Sequence, residues 1–201
     1  MKILIACEYS GIVRDAFAAK GWDAWSCDII PTEGNPAKHY CGDVFDIIDG
    51  DWDMMIAHPP CTYLSNAGAR HLYPKGVLNK ERYDKGIVAK DFFMRLYNAK
   101  IPHICVENPV PSKIYNLPPY SQIIQPYYFG EPIMKATCLR LKNLPKLTST
   151  KVLHKPQSTK IAGNWFNKGG KDRQKNRAKF FIGVAEAMAE QWIEFVGENN
   201  E

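Results

Sequence analysis

The chain has 201 residues, 45% of them hydrophobic, 12% aromatic and 23% charged, and a formal net charge of +5. Such a length suits one well-buried domain covering 1–201, and such a composition excludes wholesale disorder. No apolar run approaches the ~20 residues that span a bilayer, so no membrane partner is expected.

The opening stretch, MKILIACEYSG, is interrupted by polar residues too early for a signal peptide, and a cytoplasmic location is the expectation. The six cysteines, at 7, 27, 41, 61, 105 and 138, include no C-x-x-C pair and sit mostly in or beside apolar runs. Together with five scattered histidines they predict neither disulfides nor a metal site. Charge is unevenly spread: residues 140–179 hold twelve Lys or Arg and one acid, Asp172. Segregation of that kind suits a surface facing phosphate; a solvated basic loop has the same composition.

In chain order, KILIAC is an apolar run of strand length, EYSG a turn, and IVRDAFAAKG a helix with apolar positions 12, 13, 16 and 17, ended by Gly21. WDAWSCDI predicts a second strand ending at Asp28. A loop follows, then a short third segment in HYCGDVFDI, and WDMMIAH predicts a fourth strand. The polar stretch 62–81 leads to an amphipathic helix in RYDKGIVAKDFFMRLYNAK, and IPHICVENP predicts a fifth strand stopped by Pro109. QPYYFG and KATCLRLKNL then predict two close strands, an antiparallel pair at the sheet edge. FFIGVAEAMAEQWIEFV closes the chain as a helix with Val184, Met188, Trp192 and Phe195 on one side. Strands alternating with helices predict an α/β fold with a mostly parallel, doubly wound sheet, whose ligands lie beyond the carboxyl ends of the strands.

That rule singles out the Glu8 to Gly11 loop, Asp28, Asp43, Pro59-Pro60-Cys61 and Glu107-Asn108-Pro109. An acid twenty residues beyond the first loop matches the carboxylate that receives ribose hydroxyls in nucleotide-type sites. CEYSGIVR has one glycine and no G-x-G-x-x-G, which disfavours a pyrophosphate. A nucleoside cofactor without phosphates is expected, and S-adenosyl-L-methionine fits that description, with Asp28 on the ribose and Asp43 on the adenine amine. Prolines 59 and 60 fix φ and donate no hydrogen bond, so they end the fourth strand in a stiff segment that aims Cys61.

The string PPCTYLSNAG resembles the P-P-C-Q-x-F-S-x-x-G signature of the cytosine-C5 DNA methyltransferase family, and VENP at 106–109 is similar to its E-N-V element. FGEPIMKAT stands in the place of its F-G-x-P-Q-x-R-x-R, and the likeness runs from about residue 3 to residue 142. The resemblance implies a Rossmann-like methyltransferase fold and attack of Cys61 on C6 of cytosine. It implies ring activation by Glu107, positioned by Asn108. It also implies a cofactor set of Cys7, Glu8, Tyr9, Ser10, Gly11, Asp28, Asp43, Val44 and Pro59. Substrate contacts fall on Pro60, Ser65, Lys135 and Thr137, joined by Lys171, Arg173, Lys175 and Arg177 from the basic segment. Thr62 replaces the family's Gln, Pro109 its Val, and Lys135 and Thr137 its two arginines.

Only residues 143–180 are available between the last motif and the closing helix, so a small basic substrate-binding insertion replaces a large recognition region, and little sequence readout of DNA is expected. Trp165 and Phe166 within it are candidates for base stacking or for anchoring the insertion. Residues 64–81, with Ser65, Gly68, Arg70, His71 and Lys75, are read as a lid or a connector. Two other readings stay open: C5 methylation of RNA or a pyrimidine nucleotide, and a non-catalytic nucleic-acid-binding module. The target sequence and the oligomeric state are not encoded in these patterns.

Overall fold

Strand β1, Lys2–Ala6, is buried from its second residue onward, and its alternating side chains divide between two apolar layers. Ile3 and Ile5 enter one layer with Met54, Ile56, Cys105 and Val184, whereas Leu4 and Ala6 enter the other with Met55, Ala57, Ile104 and Val106. A strand buried on both faces must be apolar throughout, which is why KILIA and MMIA carry no polar alternation. The computed structural model describes residues 1–158 and 178–198 of the chain.

Beyond β1 come α1 (Ile12–Ala18), β2 (Asp23–Asp28), β3 (His39–Cys41) and β4 (Met54–Ala57). A short helix α2 (Ala69–Leu72) and the long helix α3 (Lys80–Tyr97) precede β5 (His103–Pro109). The chain continues through β6 (Gln122–Ile124), β7 (Ile133–Met134), β8 (Thr137–Lys142) and β9 (Gln157–Ser158) to the closing helix α4 (Ile182–Glu198). The main sheet has the order β3-β2-β1-β4-β5-β8-β6. The first five are parallel, β8 runs antiparallel to β5, and β6 runs antiparallel to β8. Helices α1 and α4 cover one face and α3 the other. This is the mostly parallel, doubly wound, Rossmann-like α/β fold anticipated from the sequence.

Local chemistry accounts for the boundaries. Asn79 caps α3, its side chain accepting from the Arg82 amide at 3.0 Å. On α4, Val184, Met188, Trp192 and Val196 are buried, and each large apolar side chain so placed stabilises the fold by roughly 1.5–3 kcal/mol. Gly86, in the middle of α3, leaves the space that the Tyr115 ring and hydroxyl fill, so a methyl group there would overlap the tyrosine.

Three expectations are corrected. The aromatic stretch QPYYFG is a 3-10 turn at Pro126–Tyr128 rather than a strand, because Pro126 starts a turn and Gly130 takes φ +87°; the strand is the preceding Gln122–Ile124. The antiparallel pair is only half at the edge, since β8 is inserted between β5 and β6. Consequently Arg140 on β8 is 1% exposed and Lys142 donates to the Tyr97 carbonyl at 2.8 Å, so these two basic residues belong to the interior and its rim and not to a phosphate-facing surface. Among the described residues, no helix is long and apolar enough to cross a membrane.

Candidate active site

The carboxyl ends of β2, β1, β4 and β5 lie side by side, and beyond them opens a cleft of about 1510 Å³. Cys7 and Tyr9 after β1, Asp28 at the tip of β2, Pro59, Pro60 and Cys61 after β4, and Glu107 on β5 all line it. Ser65 and Lys135 complete the set of sequence-predicted residues found on its walls. Cys61 and Glu107 thus share one cavity, carried by strands that pair directly.

Hydrogen bonds hold those two elements in register beyond the sheet. The Cys61 carbonyl accepts from the amides of Leu64 and Ser65, making a tight turn of the segment after the prolines. Asn66 then donates to the Val110 carbonyl at 2.9 Å, and Ser112 donates to the Leu64 carbonyl at 2.7 Å. The loop bearing the sulfur is therefore stitched to the chain leaving β5, with Leu64 buried beneath the stitch. Residues 66–76 continue as short helical turns and form the outer wall of the cleft, where Arg70 and, from α3, Arg82 and Lys85 supply cationic groups beside His71. Arg82 fixes this wall by donating to the Thr62 carbonyl at 2.9 Å and lying over the Tyr63 ring.

On the other side, Asp28 is half-buried, and burial raises its carboxyl above the usual range against the backbone amides of Ile30 and Ile29. Its neighbours Ile29 and Ile30, 80% and 39% exposed, present apolar surface to the cleft. Cys7 takes a left-handed φ of 60°, a conformation strained for a residue with a Cβ, exactly where β1 opens into the cleft.

Other predicted residues have different surroundings. Glu8 is buried, and its carboxylate accepts from the amides of Val13 and Arg14 at 2.7 and 3.2 Å, so it caps α1 from within; burial raises its carboxyl, and His58 opposes that shift. Ser10 donates to the same carboxylate. Gly11, at φ +75°, leaves room for the buried guanidinium of Arg14. Asp43 caps a 3-10 turn by accepting from the Phe45 amide, and Val44 beside it is buried. Asn108 points opposite to Glu107 along β5 and accepts from Arg140 Nη1 in the interior. Thr137 is buried, and its hydroxyl donates to the Lys135 carbonyl. Lys171, Arg173, Lys175 and Arg177, with Trp165 and Phe166, lie outside the described residues.

Two groups in the cleft escaped sequence reasoning. His58, the residue immediately before the two prolines, bonds through Nδ1 to Glu107 Oε2 at 3.2 Å. Its position one step beyond the Ala57–Val106 pair was the available signal, but strand register is invisible in a single sequence. Arg82 likewise needed the fold to bring the first turn of α3 over residues 62 and 63. Among the described residues, no group of three or more His, Cys, Asp or Glu side chains is placed to hold a metal ion.

Thiol reactivity should separate the cysteines. Burial pushes the Cys27 thiol up to about 12, and raises those of Cys7, Cys105 and Cys138, so at neutral pH these carry little of the reactive thiolate. Iodoacetamide treatment of the folded protein at neutral pH, read by peptide mass spectrometry, is expected to modify Cys41 and Cys61 first. Labelling of Cys7, despite its place on the cleft wall, should rise only under strongly alkaline conditions. Early modification of Cys7 would contradict the raised pKa of its thiol.

Fold and cleft together define a class, a doubly wound, Rossmann-like α/β scaffold whose ligand cleft sits at the carboxyl edge of its parallel strands. No protein-family model matches the chain, and no curated protein matches its sequence. Among solved structures it is similar to one provisionally described as a DNA modification methyltransferase encoded within a prophage of E. coli, at 13% identity, with a TM-score of 0.49 over 85% of this chain. The chain spans 56% of the length of that structure's chain.

Proposed function

We propose that the protein is an S-adenosyl-L-methionine-dependent DNA cytosine-C5 methyltransferase of one domain, 1–201, with residues 143–180 as its basic substrate-binding insertion. The observation that carries this reading is the presence of Cys61 and Glu107 on one cleft at paired strand ends, with Asp28 on the same cleft two strands away.

The residues fit the cofactor. Asp28 offers a carboxylate to ribose hydroxyls, and the exposed Ile29 and Ile30 beside it offer an apolar edge to adenine. Tyr9 and Cys7 line the way from there towards Cys61 as candidates for the amino-acid end. The amides of Val13 and Arg14 at the start of α1 are already taken by Glu8, which leaves them unavailable to a phosphate and suits a nucleoside without one. When bound, S-adenosyl-L-methionine supplies an electrophilic methyl group.

C5 of cytosine is a poor nucleophile. In the proposed route the Cys61 sulfur adds to C6, which converts the ring into an enamine-like species able to accept a methyl group at C5. Glu107 faces N3 and the exocyclic amine, and supplies a proton or hydrogen bond as negative charge builds there. After transfer a base removes the C5 proton, the sulfur leaves, and the thiol is regenerated. Pro60, Ser65 and Lys135 contact the substrate, and Lys171, Arg173, Lys175 and Arg177 contact its phosphates. A duplex acceptor would have to turn its cytosine out of the stack, at a cost of a few kcal/mol.

The test is methyl transfer from radiolabelled S-adenosyl-L-methionine to duplex DNA, single-stranded DNA, RNA and free cytidine nucleotides, with nucleoside analysis of the product. 5-Methylcytosine in DNA is the expected outcome. Product confined to RNA or nucleotides would keep the chemistry and change the substrate. No product in any arm, together with salt-dependent DNA binding, would favour a binding module instead.

A further inference from the structure

We propose that His58 is the positioning residue for Glu107: its Nδ1–H donates to Oε2 and fixes the carboxylate so that Oε1 is the oxygen offered to a ligand in the cleft. The assignment of roles to Glu107 rests on the methyltransferase reading, but the hydrogen-bonded pair itself does not.

The geometry is set by the sheet. β4 and β5 are parallel, and Ala57 pairs with Val106, so His58 and Glu107 stand opposite one another one step further on, at the mouth of the cleft. Their side chains are 10% and 12% exposed, and Nδ1 lies 3.2 Å from Oε2. Oε2 can accept a hydrogen bond whether or not Oε1 carries a proton, and the proton of the pair is accordingly placed on the Nδ1 that faces it.

One further contact bears on the ring, and two features fix the His58 backbone. The His58 amide donates to the Ala6 carbonyl at 2.9 Å, which closes the β1–β4 ladder at its Ala6–Ala57 pair. Phe180 packs against the imidazole with ring centroids 4.7 Å apart and planes tilted by 48°. Pro59 follows directly and restricts the His58 backbone to extended conformations. The ring is thereby held to one task.

A histidine kept only for packing would be expected to satisfy both nitrogens or be replaced by an apolar residue. Here Nε2 is buried with no hydrogen-bond partner among the described residues, while Nδ1 is committed to Glu107. A pyrimidine must meet Glu107 in one plane, at N3 and at the exocyclic amine. Free rotation of the carboxylate would blur that geometry, and misplacement of about 1 Å costs on the order of 10²-fold in rate.

Two measurements test the proposal. In the first, proteins with His58→Ala and His58→Asn are compared with wild type for the single-turnover methylation rate and for acceptor dissociation. The asparagine amide can donate from nearly the position of Nδ1. His58→Ala is expected to lose about 10²-fold in rate with acceptor affinity little changed, and His58→Asn to recover most of that loss. Wild-type rates in His58→Ala, or equal losses in both variants, would overturn the proposal. In the second, the full-length protein labelled with ¹⁵N-histidine is examined by NMR without any substrate. A slowly exchanging His58 Nδ1–H signal should be present in wild type, persist in Cys61→Ser and vanish in Glu107→Ala. Its absence in wild type, or its survival in Glu107→Ala, would overturn the pair. Because the second measurement involves no reaction, an inactive protein with this signal would discredit the methyltransferase reading while leaving the pair intact.

Discussion

With an acceptor containing 5-fluorocytosine, the wild-type protein is expected to form a covalent complex that survives denaturation, and Cys61→Ser to form none. A fluorine at C5 cannot leave as a proton does, so the sequence of steps halts after methyl transfer with the Cys61 sulfur still bound to C6. The serine variant keeps the shape of the loop but replaces the thiolate with a hydroxyl, which is a far weaker nucleophile without an adjacent base. Turnover on ordinary cytosine should fall by roughly 10⁴-fold or more, the scale on which loss of a covalent nucleophile acts. Stability should hardly change, because Cys61 is half-buried on a loop whose hydrogen bonds run through its backbone carbonyl. Denaturing gel electrophoresis with a labelled acceptor gives the first reading, and thermal unfolding gives the second. An adduct that persists in Cys61→Ser would remove the sulfur from the chemistry, and one that moves to another cysteine by mass spectrometry would redirect it.

The second large effect concerns folding. Arg140→Ala is expected to lower stability by about 3–5 kcal/mol, as truncation of buried polar partners and of large core side chains does. Arg140 is 1% exposed. Its Nε donates to the Pro118 carbonyl at 2.7 Å, Nη1 donates to Asn108 Oδ1, and the guanidinium lies over the Phe93 ring at 5.0 Å. Burial lowers its basicity, and its polar partners in this set are neutral oxygens. A cation so placed contributes little beyond an apolar residue of equal volume, yet removing it strands the buried Asn108 oxygen and the half-buried Pro118 carbonyl and leaves a void. For a chain of this size each kcal/mol moves Tm by about 2–4 °C, so a fall on the order of 10 °C is expected by circular dichroism. Arg140→Met, which fills the space but cannot donate, should lose less. An unchanged Tm with weakened DNA binding would instead return Arg140 to the phosphate-facing surface.

Both expectations join residues that the sequence keeps far apart, and this marks the boundary of what a single chain can disclose. KILIA, MMIA and ICV were readable as strands because a strand covered on both faces has to be apolar from end to end. The proline pair after MMIAH was readable as the end of one of them, because proline supplies no amide to a ladder. Placing Asp28, Cys61 and Glu107 at strand ends then followed from alternation of strands with helices. QPYYFG misled because aromatic residues favour strands on average, whereas one proline and one glycine decided the local backbone. Arg140 and Lys142 misled because charge was counted without knowledge of which strand would be interior.

The amino-acid order by itself determined the doubly wound class, the positions of the main parallel strands and closing helix, and the candidacy of a cysteine and a glutamate. The class and the strands rest on hydrophobic periodicity and on proline and glycine stereochemistry, which act within a few residues, and the candidacy rests also on the resemblance of PPCTYLSNAG and VENP to family motifs. Tertiary structure alone decided that β8 slips between β5 and β6, that Glu8 turns inward to cap α1 and that Arg82 braces the cysteine loop. It also decided that His58 meets Glu107 across 49 residues of chain. Those outcomes depend on strand register and on competition among distant polar groups for the few available partners, and such energies exist only once the sheet has formed.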